Sequence, residues 1–152
     1  MPYVDSILEP DEQVRYHTTV SWTIYGPAIL SALLALGSLA LGVTSPQWVD
    51  VGWIGAAVFL VIALVAFVRA WFRRWTTEIA VTDRRIVFKR GLIRRHTVEM
   101  NMQKVESVDV DQTLMGRLFN YGNVTVRGTG STFETLRMID APLKLRSTVT
   151  AG

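Results

Sequence analysis

The sequence predicts a helical membrane hairpin together with an all-β domain, which we expect to be a small β-barrel or orthogonal sandwich of about seven strands with a short C-terminal helix. Residues 22–68 contain a single charged residue, Asp50. After residue 75 the continuous apolar pattern ends, and short segments rich in Val, Ile and Thr follow, separated by turn residues at intervals of about eight to twelve. Charge divides in the same way, with a net −4 in residues 1–68 and +7 in residues 69–152. The chain therefore combines a membrane part with a basic domain.

Two stretches of the apolar tract are long enough to cross a membrane, residues 24–43 and residues 51–70. Each has roughly the 20 mainly apolar residues that a helix needs for an approximately 30 Å hydrocarbon core, whereas a buried helix of a soluble protein usually stops short. The connection between them, residues 44–50, contains Pro46 and polar side chains that suit a turn. Aromatic residues typical of membrane interfaces flank both stretches: Trp22, Tyr25, Trp48, Trp53, Trp71 and Trp75.

The distribution of charge predicts the orientation of this hairpin. The connecting turn has no Lys or Arg, whereas Arg69, Arg73 and Arg74 lie at the end of the second stretch. By the positive-inside rule we expect a multi-pass protein with both termini in the cytoplasm. Acidic residues precede the first apolar run, so a cleaved signal peptide is not expected. Up to residue 68 neither stretch contains a charged residue, which argues against a transporter or a channel.

Small residues recur at four-residue spacing in both stretches, as in Ser38 and Gly42 and again in Gly52 and Ala56. Such spacing lets two helix backbones approach closely. Because a short turn makes the two stretches neighbours, packing between them is favoured over an oligomer contact.

The expected organisation has three segments. Residues 1–22 form a cytoplasmic N-terminal segment, residues 23–71 form the hairpin, and residues 72–152 form the cytoplasmic β-domain. Apolar and polar residues alternate over residues 12–22, which indicates a strand. An isolated strand would be hard to stabilise, so we expect it to pair with the sheet formed after the hairpin. The hairpin would then be an insertion within the domain.

The β-domain begins with a predicted three-stranded meander over residues 76–100, with turns at residues 82–85 and at Gly91. Three further segments alternate apolar and polar side chains, so each should have one buried and one solvated face. In the last of these segments, Leu136 and Met138 are expected on the buried face.

A short helix is predicted to close the domain, with Asp140 as its N-cap and Pro142 in its first turn. Leu143, Leu145 and Val149 are expected to cover part of one end of the barrel. Two helical turns bury little surface, so this helix depends on packing against the strands.

Four motifs connect these elements: an acidic L-x-P-x-E leader, a T-[DN]-x-R-[IV] turn with a closing Gly, a V-x-S-V-x-V-x-Q strand and a G-R-L-x-x-Y-G connection. In this combination the chain resembles the membrane-anchored type of the bacterial pleckstrin-homology-like (PH-like) family. The resemblance implies a PH-like β-barrel and a bacterial protein; the closing helix is shorter than is usual in that family. The matching residues are Leu8, Pro10 and Glu12; Thr82, Asp83, Arg85, Ile86 and Gly91; Val105, Ser107, Val108, Val110 and Gln112; and Gly116, Arg117, Leu118, Tyr121 and Gly122.

The sequence lacks a recognisable catalytic or metal-binding constellation. There is no Cys, His17 and His96 are isolated from any motif, and Ser131 lies in a Gly-flanked turn without a nucleophile elbow. The acidic residues from Glu106 to Asp111 alternate along a strand, as on a solvated face. We therefore expect no enzymatic activity, no cofactor and no metal.

A basic run is the strongest candidate for a binding site. Six cations lie within residues 84–95, and near an anionic leaflet each contributes at most about 1 kcal/mol to membrane attraction. The resemblance points the same way, since eukaryotic PH domains often bind phosphoinositide headgroups with their first hairpin. A solvated hairpin that uses charge for solubility and edge protection explains the run equally well. The candidate lipid-binding residues are Arg69, Arg73, Arg74, Arg84, Arg85, Lys89, Arg90, Arg94 and Arg95.

These observations predict a non-enzymatic, membrane-anchored PH-like module of the bacterial cytoplasmic (inner) membrane. Its expected partners are the lipid bilayer and either another protein or further copies of the same chain, so that it acts as a scaffold or adaptor. The alternative is a sensor of anionic lipid headgroups that uses the basic hairpin from Arg84 to Arg95. Nucleic acid is not an expected partner, because no aromatic residues interleave with the arginines.

Overall fold

The computed structural model describes residue 8 and residues 11–91, 96–129 and 133–151. The chain forms two compact units. One unit is the helical segment Ile24–Phe72, and the other combines the chain before residue 24 with the chain after residue 72. The second unit is called the β-domain below.

The helical unit is built from α1 (Gly26–Thr44) and α2 (Val49–Thr76), joined by Ser45 and a 3₁₀ turn (Pro46–Trp48). Both are long and apolar enough to cross a membrane by length and composition. Only 17% of the most apolar window around α1 and 6% of that in α2 are buried, whereas a core helix would be mostly buried. Most of their large apolar side chains are therefore exposed rather than packed in a protein core.

Small residues form the contact between α1 and α2. Ala28, Ala35 and Gly42 are the buried residues of α1, spaced seven apart. A Cβ atom added to Gly52 would lie 2.5 Å from the Cα of Gly42 and 2.8 Å from the carbonyl oxygen of Ser38. The two backbones thus touch near the turn, which places part of the small-residue pattern at the contact within the hairpin.

The described part of the β-domain contains seven strands in two antiparallel sheets, which confirms the predicted fold class. A four-stranded sheet has the order β1-β2-β3-β4, and a three-stranded sheet has the order β5-β6-β7. The strand bounds are Val14–Thr18 (β1), Thr77–Thr82 (β2), Arg85–Arg90 (β3), His96–Asn101 (β4), Val105–Asp111 (β5), Tyr121–Gly128 (β6) and Phe133–Asp140 (β7). Two short helices complete it, α3 (Leu114–Leu118) and α4 (Pro142–Thr150).

The N-terminal segment belongs to both sheets. β1 pairs with β2 across the hairpin insertion, with Thr18 opposite Ile79. The chain then reaches the other sheet, where Val20 bridges Ile139. The Ser21 N–H donates to the Met138 carbonyl at 2.7 Å. Residues before the hairpin are therefore part of the framework that joins the two sheets.

The core lies between the sheets and is closed by α4. Leu145 of α4 is fully buried and Val149 nearly so, since positions three and four apart share a helix face. Leu143 was predicted to join them, but it lies off that face and is 55% exposed. The core side chains are Ile79, Val81, Ile86, Phe88, Met100, Val124, Val126, Leu136, Ile139, Leu145 and Val149.

Two further predictions about the C-terminal segment are wrong, and both errors arise at left-handed residues. Met138 has φ 59°, so the alternation breaks and Ile139 takes the second core position after Leu136. Asp140 stays in β7 opposite Tyr121, and the N-cap of α4 is Ala141, with φ 45° and no side-chain cap. Non-glycine residues rarely adopt this conformation, and so periodicity alone could not reveal it.

Candidate functional site

A buried ion pair ties the N-terminal leader to the β2–β3 turn. The Glu12 side chain is completely buried, and its carboxylate accepts a bidentate pair from Arg85, at 2.9 Å from Nε and 2.7 Å from Nη2. The Thr82 hydroxyl donates to the same carboxylate at 2.7 Å. Charge-assisted bidentate pairs are the strongest hydrogen bonds that side chains make. These three residues are called the leader latch.

The surrounding turn supports the leader latch. The Thr82 hydroxyl accepts from the Arg85 N–H at 3.0 Å, and the Asp83 carboxylate accepts from the Gln13 N–H at 3.1 Å. Arg85 also contacts Glu99 at 2.8 Å. The hydrogen bond to Glu12 raises the pKa of Arg85 above its ordinary value, so this guanidinium stays charged at every accessible pH. The T-D-x-R turn and the acidic leader thus form one structural contact.

The candidate cations of the basic hairpin divide between two strand faces. Arg85 and Lys89 share one face of β3, where Lys89 lies 3.9 Å from Glu78. Arg90 lies on the other face of β3, which it shares with the buried Ile86 and Phe88. Arg84 is exposed in the turn, while Arg94 and Arg95 lie outside the described residues.

The three candidate cations at the end of the second apolar stretch are divided between the two units. Arg69 belongs to the helical unit, whereas Arg73 and Arg74 belong to the β-domain. The Thr19 hydroxyl lies 2.9 Å from the Thr77 carbonyl oxygen and 3.2 Å from the Arg74 carbonyl oxygen, so the backbone there is tied to the N-terminal segment. Arg73 remains partly exposed.

Three arginines from distant parts of the sequence surround one opening of the β-domain. Arg73, Arg90 and Arg137 line a pocket of about 20 Å³ between the β2–β3 pair and β7. That volume holds about one water molecule, so a larger anion would rest on the rim. Glu134 is the one acidic side chain among the described residues that line it. We call these three arginines the basic mouth. Sequence reasoning missed Arg137, because a lone Arg on an alternating strand is typical of any solvated face.

A second surface of the β-domain is apolar and exposed. Trp22 packs edge-to-face on Phe119, with ring centroids 5.8 Å apart and planes at 89°. Leu114 and Leu118 on α3 are 83% and 73% exposed, and Met115 is 60% exposed. We call these five residues the α3 patch. Sequence reasoning identified the motif here but not the exposure of its apolar side chains.

The residues predicted to lack catalytic roles occupy ordinary positions. His17 is an exposed residue of β1, and Glu106, Asp109 and Asp111 are exposed along β5. Ser131 lies outside the described residues. Among the residues that the structure describes, no group of three or more His, Asp or Glu could hold a metal ion.

Comparison with protein families gives the class of this protein. A family model described as a bacterial PH domain matches residues 26–149, which is more than half of the chain. The chain therefore belongs to the bacterial PH domain family, as the sequence motifs predicted. The match begins after β1, so Glu12 lies outside the matched residues. No curated protein and no solved structure matches the chain.

Proposed function

We propose that this protein is a non-enzymatic scaffold or adaptor of the bacterial cytoplasmic membrane, with two membrane-spanning helices and both termini in the cytoplasm. One observation carries the proposal: the helical hairpin is inserted between β1 and β2, which are neighbouring strands of one sheet. The β-domain is therefore attached through two chain connections, and both begin in its own framework. Such an attachment keeps a binding surface at the membrane while leaving the rest of the domain open to partners.

An exposed sheet edge supports binding to a protein or to a second copy of the chain. β4 ends the four-stranded sheet, and in that described sheet it pairs only with β3. The free edge of such a strand offers unpaired backbone groups to an added strand. Thr97 and Asn101 are exposed along β4.

Photo-crosslinking in intact membranes tests the scaffold. A photoreactive residue at Thr97 or Asn101 is expected to give a discrete crosslinked band at native expression, either a dimer or a heteromer. The matched control places the same group at Gln47 in the hairpin turn, on the predicted opposite side of the membrane, and should give no such band. Monomer alone from both β4 positions would contradict a partner at this edge.

Recognition of anionic lipid is the second candidate function, and the basic mouth favours it. Three guanidinium groups around one opening repel each other, and an anion resting on the rim would relieve that repulsion. The second predicted span ends at residue 70, and Arg73 follows three residues later in the same helix. Three residues correspond to a rise of about 4.5 Å. A lipid phosphate at the cytoplasmic surface would therefore lie within reach of Arg73.

Thermal unfolding of the full chain in detergent tests this second function. Added phosphatidylglycerol is expected to raise the midpoint temperature more than phosphatidylcholine does. Changing Arg73, Arg90 and Arg137 to Gln together should remove most of that difference, because these cations would supply the attraction to the anionic lipid. Each charge contributes at most about 1 kcal/mol. High salt should have the same effect, since it screens exposed charges.

Two matched triple variants locate the lipid site. One changes three cations of the basic run outside β3, and the other changes exposed arginines elsewhere, which should leave the lipid effect intact. An equal shift with inorganic phosphate would identify a free anion as the ligand. A lipid effect that survives both in the basic-mouth variant and in the Arg84, Arg94 and Arg95 variant would contradict lipid recognition by these cations. The first variant carries Arg84→Gln, Arg94→Gln and Arg95→Gln. The control carries Arg15→Gln, Arg127→Gln and Arg146→Gln.

A further inference from the structure

The α3 patch presents large apolar side chains to the outside of the β-domain. Leu114 and Leu118 are 83% and 73% exposed, which is well beyond what a side chain at the edge of a core shows. Scattered apolar residues are normal on a protein surface, but a contiguous group marks an interaction site. The patch lies in the β-domain and shares no residue with the basic mouth or with the β4 edge.

Polar contacts on the inner side hold α3 in place. The Thr113 hydroxyl caps the helix by accepting from the Gly116 N–H at 3.0 Å. The Gln112 side-chain amide donates to the Tyr121 carbonyl at 3.0 Å. A Cβ on Gly116 would lie 2.6 Å from that same carbonyl oxygen, so only glycine allows this approach. These contacts hold α3 in an orientation that leaves the two leucines exposed.

Continuity with the membrane anchor indicates what covers the patch. Trp22 packs on Phe119 at 5.8 Å and stands two residues before residue 24, where the first predicted span begins. Tryptophan at the end of a span sits at the level of the lipid headgroups. Phe119 must lie near the same level, because it contacts Trp22 directly. Arg117 is exposed on the same short helix, where a cation suits an anionic headgroup layer.

From this arrangement we infer that the α3 patch inserts into the headgroup and upper acyl region of the cytoplasmic leaflet, as an apolar contact of the β-domain with the bilayer. The inference rests on the proposed membrane anchorage. Insertion removes the leucine side chains from water, and it adds a third attachment to the two chain connections. A protein partner or a second copy on the patch is the competing occupant, and the experiment below separates the two.

Site-directed spin labelling tests the insertion in the full chain reconstituted in lipid vesicles. The chain contains no Cys, so a single introduced Cys is labelled specifically. Labels at Leu114→Cys and Leu118→Cys should collide several-fold more with oxygen than with a water-soluble nickel chelate. The matched control is Leu143→Cys, an exposed leucine of α4, which should favour the nickel chelate. The highly exposed positions tolerate the label without loss of packing.

A label at Leu36→Cys, exposed in the middle of α1, reports separately on the anchor. Oxygen preference at Leu36 with nickel preference at Leu114 and Leu118 overturns the insertion and leaves the membrane anchor standing. Nickel preference at Leu36 overturns the anchor itself. Protection of Leu114 and Leu118 from both reagents shows a second copy on the patch and also overturns insertion into lipid.

Discussion

Changing Arg85 to Ala is expected to destabilise the β-domain by about 3 kcal/mol or more, because the change leaves the Glu12 carboxylate buried without its guanidinium. Glu12 has a side-chain exposure of 0% and Arg85 one of 23%, so the change removes the charged partner from a carboxylate that lies away from bulk water. Urea unfolding of the full chain in lipid nanodiscs, read by a short protease pulse, measures the change.

Two comparisons make this prediction specific. Arg127 pairs with Asp109 at 3.2 Å, but both side chains are more than half exposed. Arg127→Ala should therefore cost less than about 1 kcal/mol. The double change Glu12→Leu with Arg85→Met should recover much of the stability, since an apolar pair can replace a buried ion pair. Equal costs for Arg85→Ala and Arg127→Ala would contradict a structural role for the leader latch.

Changing Gly52 to Ala is expected to weaken the α1–α2 contact by about 1–3 kcal/mol, since the added methyl meets backbone rather than a movable side chain. The new Cβ would lie 2.5 Å from the Cα of Gly42 and 2.8 Å from the Ser38 carbonyl oxygen, so the helices must separate. Unfolding of the full chain in mixed detergent and dodecyl sulfate micelles, with fluorophores on the two helices, measures this change.

The chain contains its own control for that experiment. Gly37 is also in a helix, but a Cβ there meets nothing within 4 Å. Gly37→Ala should leave the contact unchanged or stabilise the helix by up to about 1 kcal/mol, as expected for glycine replaced in a helix interior. If Gly52→Ala and Gly37→Ala behave alike, then the close backbone approach does not hold the hairpin together.

The residues before α1 are needed for a complete β-domain, which limits the use of shorter fragments. A fragment that begins after α2 lacks β1, Glu12 and the fully buried Val20. It would leave the edge of β2 unpaired and Arg85 without its buried partner. The full chain is therefore the appropriate material for the lipid and stability measurements.

The candidate site was predictable only in part. Sequence motifs singled out Thr82 and Arg85, and the structure shows the contact with Glu12 that these residues make. The basic run was visible as a set of charges, but strand faces divide those charges. Arg137 joins Arg73 and Arg90 only because β7 lies beside the ends of β2 and β3. The linear sequence does not show that these strands are neighbours.

By itself the sequence determined the two apolar helices, the all-β class of the domain and membership of the family. These features depend on hydrophobic length, period and short motifs, which are local properties of a chain. The tertiary structure alone decided that Glu12 meets Arg85 across 73 residues, that Trp22 meets Phe119, and that Met138 interrupts the last strand. Contacts between distant residues and left-handed turns depend on how strands pair and sheets pack, and that geometry has no local signal.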